Sequence, residues 1–230
     1  MVSPGTDSVA SGRERLSMAR VLKAAITMAD ESGLDGLTMR RLARSLGSEA
    51  MSLYYYVKSR DALLDEILDA VVGEIGPVAG GSGWKDEIRQ IAISAYEMLE
   101  RHPWAAAMMM SPTRVRSARM RFMESLLGRL RQAGFSAEMT DRAYHALDSH
   151  IIGSTLWETG YSSGSSGLDD YAEQFLRAFS EDEFPYLAEH VTQHMEEIPA
   201  AGDPTFAFGL DLILDGLERL LAEATPAEPM

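Results

Sequence analysis

The 230-residue chain is 46% hydrophobic and 24% charged, a balance that suits a folded globular protein and excludes a disordered tail. It contains no cysteine, so disulfides, thiolate-bound zinc, iron–sulfur clusters and thiol nucleophiles are excluded. The net charge of −14 argues against a nucleic-acid partner until its distribution is read. Residues 1–60 hold nine Lys/Arg and six Asp/Glu, whereas residues 61–230 hold twelve and twenty-nine. A segment that stays basic inside an acidic chain implies a separate task for that segment. No apolar run approaches the ~20 residues needed to span a bilayer. Met1–Gly12 is polar and lacks a secretory pattern, so a cytoplasmic protein without membrane contact is expected.

Helical periodicity dominates from the start of the chain to its end. Ser17 caps a first helix over residues 17–32, with Leu22, Ala25, Ile26 and Ala29 as one apolar stripe and Gly33 as its left-handed stop. A second, short helix covers 38–46, with Leu42, Ala43 and Leu46 inward, before Gly47-Ser48 breaks the chain. A third spans 49–56, and Ser59 caps a fourth carrying Leu63, Leu64, Ile67, Leu68, Val71 and Val72. Residues 76–83 hold four glycines and a proline, which no helix sustains. Beyond this linker, helices are predicted at 84–101, 103–110, 112–133, 137–159, 169–179, 184–198 and 204–224, with a serine- and glycine-rich loop at 160–167. The predicted fold class is all-α: a tail to residue 15, a small module at 16–75, a linker at 76–83, a larger helical domain at 84–224 and a tail at 225–230.

Two short helices joined by a glycine turn and packed on a longer one form a helix-turn-helix, here with its core at 38–57. The second helix must cross a phosphate backbone, and the N-terminal turn at Thr38 offers N–H groups and a hydroxyl to a phosphate. Arg40 has the donor pair to read a guanine edge. The third helix needs only Leu53 and Val57, with Met51, to anchor it. Tyr54, Tyr55 and Tyr56 cannot all be buried on one face, because successive residues lie ~100° apart. Tyrosine and Lys58 at the end of a short helix suit contacts to phosphates and thymine methyls.

The run Leu37-Thr38-Met39-Arg40-Arg41-Leu42-Ala43-Arg44-Ser45-Leu46-Gly47, followed by Ser52-Leu53-Tyr54-Tyr55-Tyr56-Val57-Lys58-Ser59-Arg60-Asp61-Ala62-Leu63-Leu64, closely resembles the DNA-binding domain of the TetR (tetracycline repressor) family. The resemblance covers about residues 17–72, and the acidic helical remainder is similar to the ligand-binding and dimerisation domain of the tetracycline-repressor-like branch. It implies a homodimeric repressor of a palindromic double-stranded DNA operator, released by a small-molecule effector. The candidate DNA-binding set is Thr38, Met39, Arg40, Ser48, Ala50, Met51, Ser52, Tyr54, Tyr55, Tyr56 and Lys58. Ala50 and Met51 depart from a hydrogen-bonding pattern, so readout there is apolar contact and Arg40 is the best polar reader.

The helices at 204–224 and 137–159 carry apolar stripes, one including Phe206 and Leu220, the other Met139, Ala143, Ala146, Thr155 and Leu156. Part of each stripe packs within one chain. The resemblance implies that both also join an intersubunit four-helix bundle, with Leu147, Ile151, Leu210, Ile213, Leu214, Leu217 and Leu221 as candidate dimer contacts. Trp104, Met108, Met109, Met110, Phe122, Trp157 and Tyr161 are candidates to line a pocket for a largely apolar effector, with His145, His150 or Glu158 as polar anchors. Each taken singly is equally a core residue.

His190 and His194, four apart, could chelate a metal with Glu189 and Glu197 nearby, but lack a well-spaced third ligand, so a solvated face is expected. Arg114, Arg116, Arg119, Arg121, Arg129 and Arg131 are expected on an exposed basic face. No P-loop, G-x-S-x-G elbow or H-E-x-x-H pair is present, and neither an enzyme nor a cofactor is expected. The alternative is a small-molecule or metal-binding helical protein whose helix-turn-helix is not used on an operator.

Overall fold

Ser17 opens the first helix as its position predicts: its hydroxyl oxygen accepts the Arg20 N–H at 3.3 Å. The computed structural model in which this is seen describes residues 15–76, 83–111, 117–162, 182–196 and 204–224, with backbone alone at 158–162, 194–196 and 204. Among them no strand occurs. The elements are α1 (Met18–Gly36), α2 (Met39–Ser45), α3 (Ala50–Leu53), α4 (Arg60–Val72), α5 (Trp84–Arg101), α6 (Trp104–Met109), α7 (Ser117–Gln132), α8 (Ala137–Ser162), α9 (Pro185–Glu196) and α10 (Pro204–Ala224). The predicted helix at 169–179, the rest of the loop predicted at 160–167 and most of the linker lie outside the described residues; α8 continues through 160–162, where the sequence predicts that loop to begin.

Two compact units divide at Ile67/Leu68, inside α4 and ahead of the linker where composition placed the boundary. The reason is local: Asp69, near the end of α4, accepts the Ala118 N–H at the start of α7 at 2.6 Å, and Glu74 pairs with Arg101 at 2.9 Å. The last turn of α4 is thereby held by the second unit.

In the first unit, α1 buries Val21, Ala25 and Ala29, a stripe turned about one residue from the predicted one. Leu22 and Ile26 stay half-exposed. The helix kinks at Gly33 (φ 66°) and continues to Gly36, beyond the predicted stop. Thr38 caps α2 by accepting the Arg41 N–H at 3.2 Å. At its other end the Ser48 N–H reaches the Ala43 carbonyl (2.9 Å) and the Gly47 N–H reaches Arg44 (3.1 Å). This closure needs a positive φ at the residue after the cap, and Gly47 supplies it at 64°. Leu42, Leu53, Val57, Leu63 and Ile67 close the core of this unit; full burial contributes about 1.5–3 kcal/mol per large aliphatic side chain.

In the second unit α8 packs against α5, α7 and α10, and α5 also packs on α7 and α10. The core holds Ile88, Leu99, Leu126, Leu130, Leu147, Ile151, Leu210 and Leu214. Phe206 sits between two rings, stacked on Tyr96 (centroids 4.0 Å) and on His150 (4.9 Å). Gly209 permits this, since a Cβ there would collide with the imidazole. Outside the core, Lys85 bridges Asp215 (2.7 Å) and Glu218 (2.6 Å), and Arg89 pairs with Asp211. Lys85 hydrogen bonding holds the Asp215 carboxyl below its ordinary range, and the two carboxylates raise Lys85.

Candidate nucleic-acid interface and effector domain

α3 is a single turn held by one buried side chain, Leu53, with Val57 buried just beyond it. It is shorter than the predicted 49–56, because after Leu53 the chain continues as turns: the Tyr56 and Val57 N–H groups both reach the Leu53 carbonyl. Met51, expected as a third anchor, is instead 76% exposed, since Leu53 and Val57 already fill the inward positions. Tyr54 is 44% and Tyr55 86% exposed. Tyr56 differs from its neighbours: its hydroxyl donates to the Leu16 carbonyl at 2.6 Å and its ring meets Tyr55 edge-on. That hydroxyl ties the turn to the residue before α1's cap, leaving Tyr54 and Tyr55 as the outward tyrosines.

The cations of this unit fall into two groups. Arg41 turns back to the Gly36 carbonyl (2.7 Å), and Arg60 donates to the carbonyls of Leu37 (3.0 Å) and Leu34 (2.6 Å). Both hold the turn between α1 and α2. Arg40, Arg44 and Lys58 are exposed, and no hydrogen bond or ion pair engages their side chains among the described residues. Thr38 and Ser52 are exposed, Met39, Ser48 and Ala50 half-exposed. The Thr38 oxygen serves the cap and the Ser48 hydroxyl donates to Ala43 (3.4 Å). The arrangement is a turn seated on Leu53 and Val57 that presents apolar, phenolic and cationic groups, the composition that a major groove and its flanking phosphates accept.

The structure redistributes the residues proposed for the C-terminal domain. Leu147, Ile151, Leu210, Leu214 and Leu217 are buried inside their own chain, so they cannot form a face for a partner. Ile213 and Leu221 are half-exposed. The outward sides carry Phe208, Leu212 and Leu220 on α10, and Leu156 and Trp157 on α8, all at least 40% exposed. Both helices are apolar on two sides, and on α10 the inner side is the one with the denser leucine spacing.

The candidate pocket residues differ in exposure among the described residues. Trp104, Met108 and Met109 are buried core residues, Met110 is exposed, and Trp157 is 62% exposed. His145 lies on the surface beside Asp141 (3.6 Å). His150 places Nε2 2.9 Å from the Phe206 carbonyl in the α8–α10 seam. The side chains of Glu158, Tyr161 and His194 lie outside the described residues. Phe122 does line a cleft, of about 320 Å³, together with Val72, Ile75, Ile91, Arg121 and Arg129. Its walls come from the end of α4 and from α5 and α7. Val72, Ile75 and Ile91 are ordinary core letters in the sequence, and nothing in their spacing distinguishes them.

Arg119 also corrects an expectation. Instead of solvating a basic face it is 8% exposed, donating to both Asp148 oxygens (2.8 and 3.1 Å) and to the Tyr144 hydroxyl (3.2 Å), above the Phe122 ring. Burial is the main cause that pushes the Tyr144 phenol up to about 12. Arg129 pairs with Glu87 (3.0 Å), and Arg131 donates to the Phe135 carbonyl. Of the predicted basic face, Arg121 and Arg131 are exposed, and Arg114 and Arg116 lie outside the described residues. The signal available was Arg119's i,i+3 spacing from Phe122 on α7's apolar side. Among the described residues no cluster of three metal-ligating side chains occurs, and no helix is long and apolar enough to cross a membrane.

Comparison with known proteins matches residues 21–67 to the bacterial regulatory proteins of the tetR family and residues 76–221 to the tetracyclin repressor-like C-terminal domain. The chain is 31% identical over 220 residues to the HTH-type transcriptional repressor DrrR1 of Streptomyces coeruleorubidus, covering 90% of this chain and 79% of that one. It is 28% identical over 207 residues to the class D tetracycline repressor protein of Escherichia coli, covering 89% and 90%. The crystal structure of apo ActR from Streptomyces coelicolor superposes with a TM-score of 0.72 at 26% identity, covering 92% of this chain and 99% of that one. The same protein in complex with actinorhodin superposes at 0.68, again at 26% identity and covering 90% and 99%. With a seated helix-turn-helix at one end and an all-helical tetracyclin repressor-like domain at the other, the chain belongs to the TetR family, as a DNA-binding transcriptional repressor.

Proposed function

We propose that this repressor binds a palindromic operator as a homodimer and releases it when a small-molecule effector occupies the second unit. The observation that carries the reading is the α3 turn: Leu53 and Val57 are buried, while Met51, Tyr54, Tyr55 and the unpaired Arg40 and Lys58 are exposed around it. In this reading Arg40 approaches a base edge. Thr38, Ser48, Ser52, Tyr54, Tyr55 and Lys58 serve phosphates, and Met39, Ala50, Met51 and the Tyr56 ring give apolar contact. Two such turns, one from each protomer, enter successive major grooves, which a two-fold dimer requires of a palindrome.

The second protomer docks on the exposed faces of α8 and α10, where Trp157, Phe208 and Leu212 are the large apolar groups left uncovered by the chain itself. The effector occupies the cleft between the end of α4, α5 and α7. Its walls suit an apolar body with a polar group facing Arg121 or Arg129. ActR's capture with actinorhodin supports a small organic effector. Because α4 begins in the first unit and ends as a wall of this cleft, an effector that displaces its last turn also acts on the first unit. Release requires only that the effector bind the operator-incompetent state more tightly. The activity is binding without a chemical step, in the bacterial cytoplasm where the chromosome lies.

Selection of random duplex DNA by the full-length protein tests the reading. A palindrome with half-sites about one helical turn apart, 10–10.5 base pairs, is expected. No enrichment, even after the protein is unfolded, dialysed and refolded to strip a bound small molecule, would overturn it.

A further inference from the structure

We infer that Met51 reads a thymine methyl group, so that operator recognition depends on the C5-methyl of at least one thymine in each half-site. The inference rests on the operator binding proposed above. Met51 is the most exposed apolar side chain of α3, at 76%. Ala50 beside it is half-exposed and reaches no further than one carbon. The α3 helix therefore carries no side-chain amide or guanidinium for a base; of its four side chains only that of Ser52, a hydroxyl, is a strong hydrogen-bonding group.

The surroundings fix the occupant. Arg40, Arg44 and Lys58, all in the same unit, are exposed and unpaired, which favours a polyanion over an apolar protein surface. Within the major groove, base edges present nitrogen and oxygen donors and acceptors, and the thymine methyl is the one apolar group among them. An exposed, unbranched thioether on the same unit as these cations matches that methyl and leaves its neighbours' acceptors to Arg40. A cytosine in the same place would set its amino donor, unpaired, against Met51, and desolvating it weakens binding. Apolar contact thus selects thymine against cytosine without a hydrogen bond.

Uracil differs from thymine by that methyl alone and pairs identically with adenine. The duplex selected by the full-length protein is resynthesised with uracil at each thymine in turn. At the position that Met51 reads, affinity is expected to fall about fourfold per half-site and about fifteenfold when both half-sites are changed. In the Met51→Ala variant, whose exposed side chain is not needed for folding, thymine and uracil duplexes bind alike. In Arg40→Ala, affinity falls but the preference for thymine persists. Selective binding that is indifferent to uracil at every position, or a preference that survives Met51→Ala, would overturn this inference while leaving operator binding intact. Absence of any selective binding would overturn both.

Discussion

The buried pair of Arg119 and Asp148 makes the sharpest energetic prediction. Arg119 is 8% exposed and donates to both Asp148 oxygens, with Tyr144 as a third partner and the Phe122 ring beneath the guanidinium. In Asp148→Ala that guanidinium keeps its burial and loses its counter-charge, which costs about 3–5 kcal/mol for a fully buried ion. The Asp148 side chain is 18% exposed. Water admitted at that edge places the expected loss near the lower end, about 3 kcal/mol. Replacing both partners, Arg119→Met with Asp148→Ala, removes the stranded charge, and the double variant is expected to lie within about 1–2 kcal/mol of the parent. The cycle should therefore show a coupling of about 2 kcal/mol or more. Urea unfolding followed by circular dichroism, at one fixed protein concentration, reads all four species on a common scale. A single-variant cost below about 1 kcal/mol, typical of an exposed pair, would refute the reasoning. So would a double variant whose loss equals the sum of the two singles.

Three further outcomes follow from the same geometry. Burial raises Tyr144 from 10.0 to about 12. Between those values the unfolded chain gives up a proton that the folded chain keeps, so the stabilisation is complete below pH 10 and falls by about 1–3 kcal/mol as pH rises through the window. Tyr144→Phe should flatten that fall relative to the parent in paired alkaline unfolding curves. Leu212→Glu, on the exposed side of α10, should lower the mass seen by light scattering from dimer to monomer while the helical signal persists. Leu214→Ala, buried two residues on, should instead destabilise the fold by about 2–5 kcal/mol. Lys58→Ala should weaken binding to all duplexes about equally and reduce the magnitude of the salt slope by about one per protomer, measured by titration across salt concentrations.

Much of this architecture is legible in the residues. The helices at 84–101 and 204–224 match their predicted limits, because the glycine-rich linker closes at Gly83, the next helix is read from residue 103, and Pro204 suits a first helical turn. The turn at Gly47 is equally plain, since its capping geometry needs a residue tolerant of positive φ. What periodicity does not decide is which of two apolar sides faces inward. In α1 both Val21 and Leu22 begin an acceptable stripe, and packing within its unit selects Val21. In α10 the leucines at 210, 214 and 217 and the outward Phe208 and Leu212 are similarly apolar, so core and docking face exchange under a rotation of the helix. The cleft is less legible still. Its walls are set by where α4 ends against α5 and α7, a long-range fact with no signature in Val72, Ile75 or Ile91. Arg119 was hidden for a related reason: its counter-charge is 29 residues away on α8.

The central claim is that the α3 turn enters the major groove of an operator. The absence of native cysteine makes Tyr55→Cys a unique thiol at the most exposed aromatic side chain of that turn. Disulfide capture by thiol-modified cytosines placed along the selected duplex measures its position directly. Capture is expected at symmetry-related major-groove positions in both half-sites, with two chains on each duplex. Capture at a single site, at the duplex ends only, or at no position on a duplex that the variant still binds would contradict the central claim.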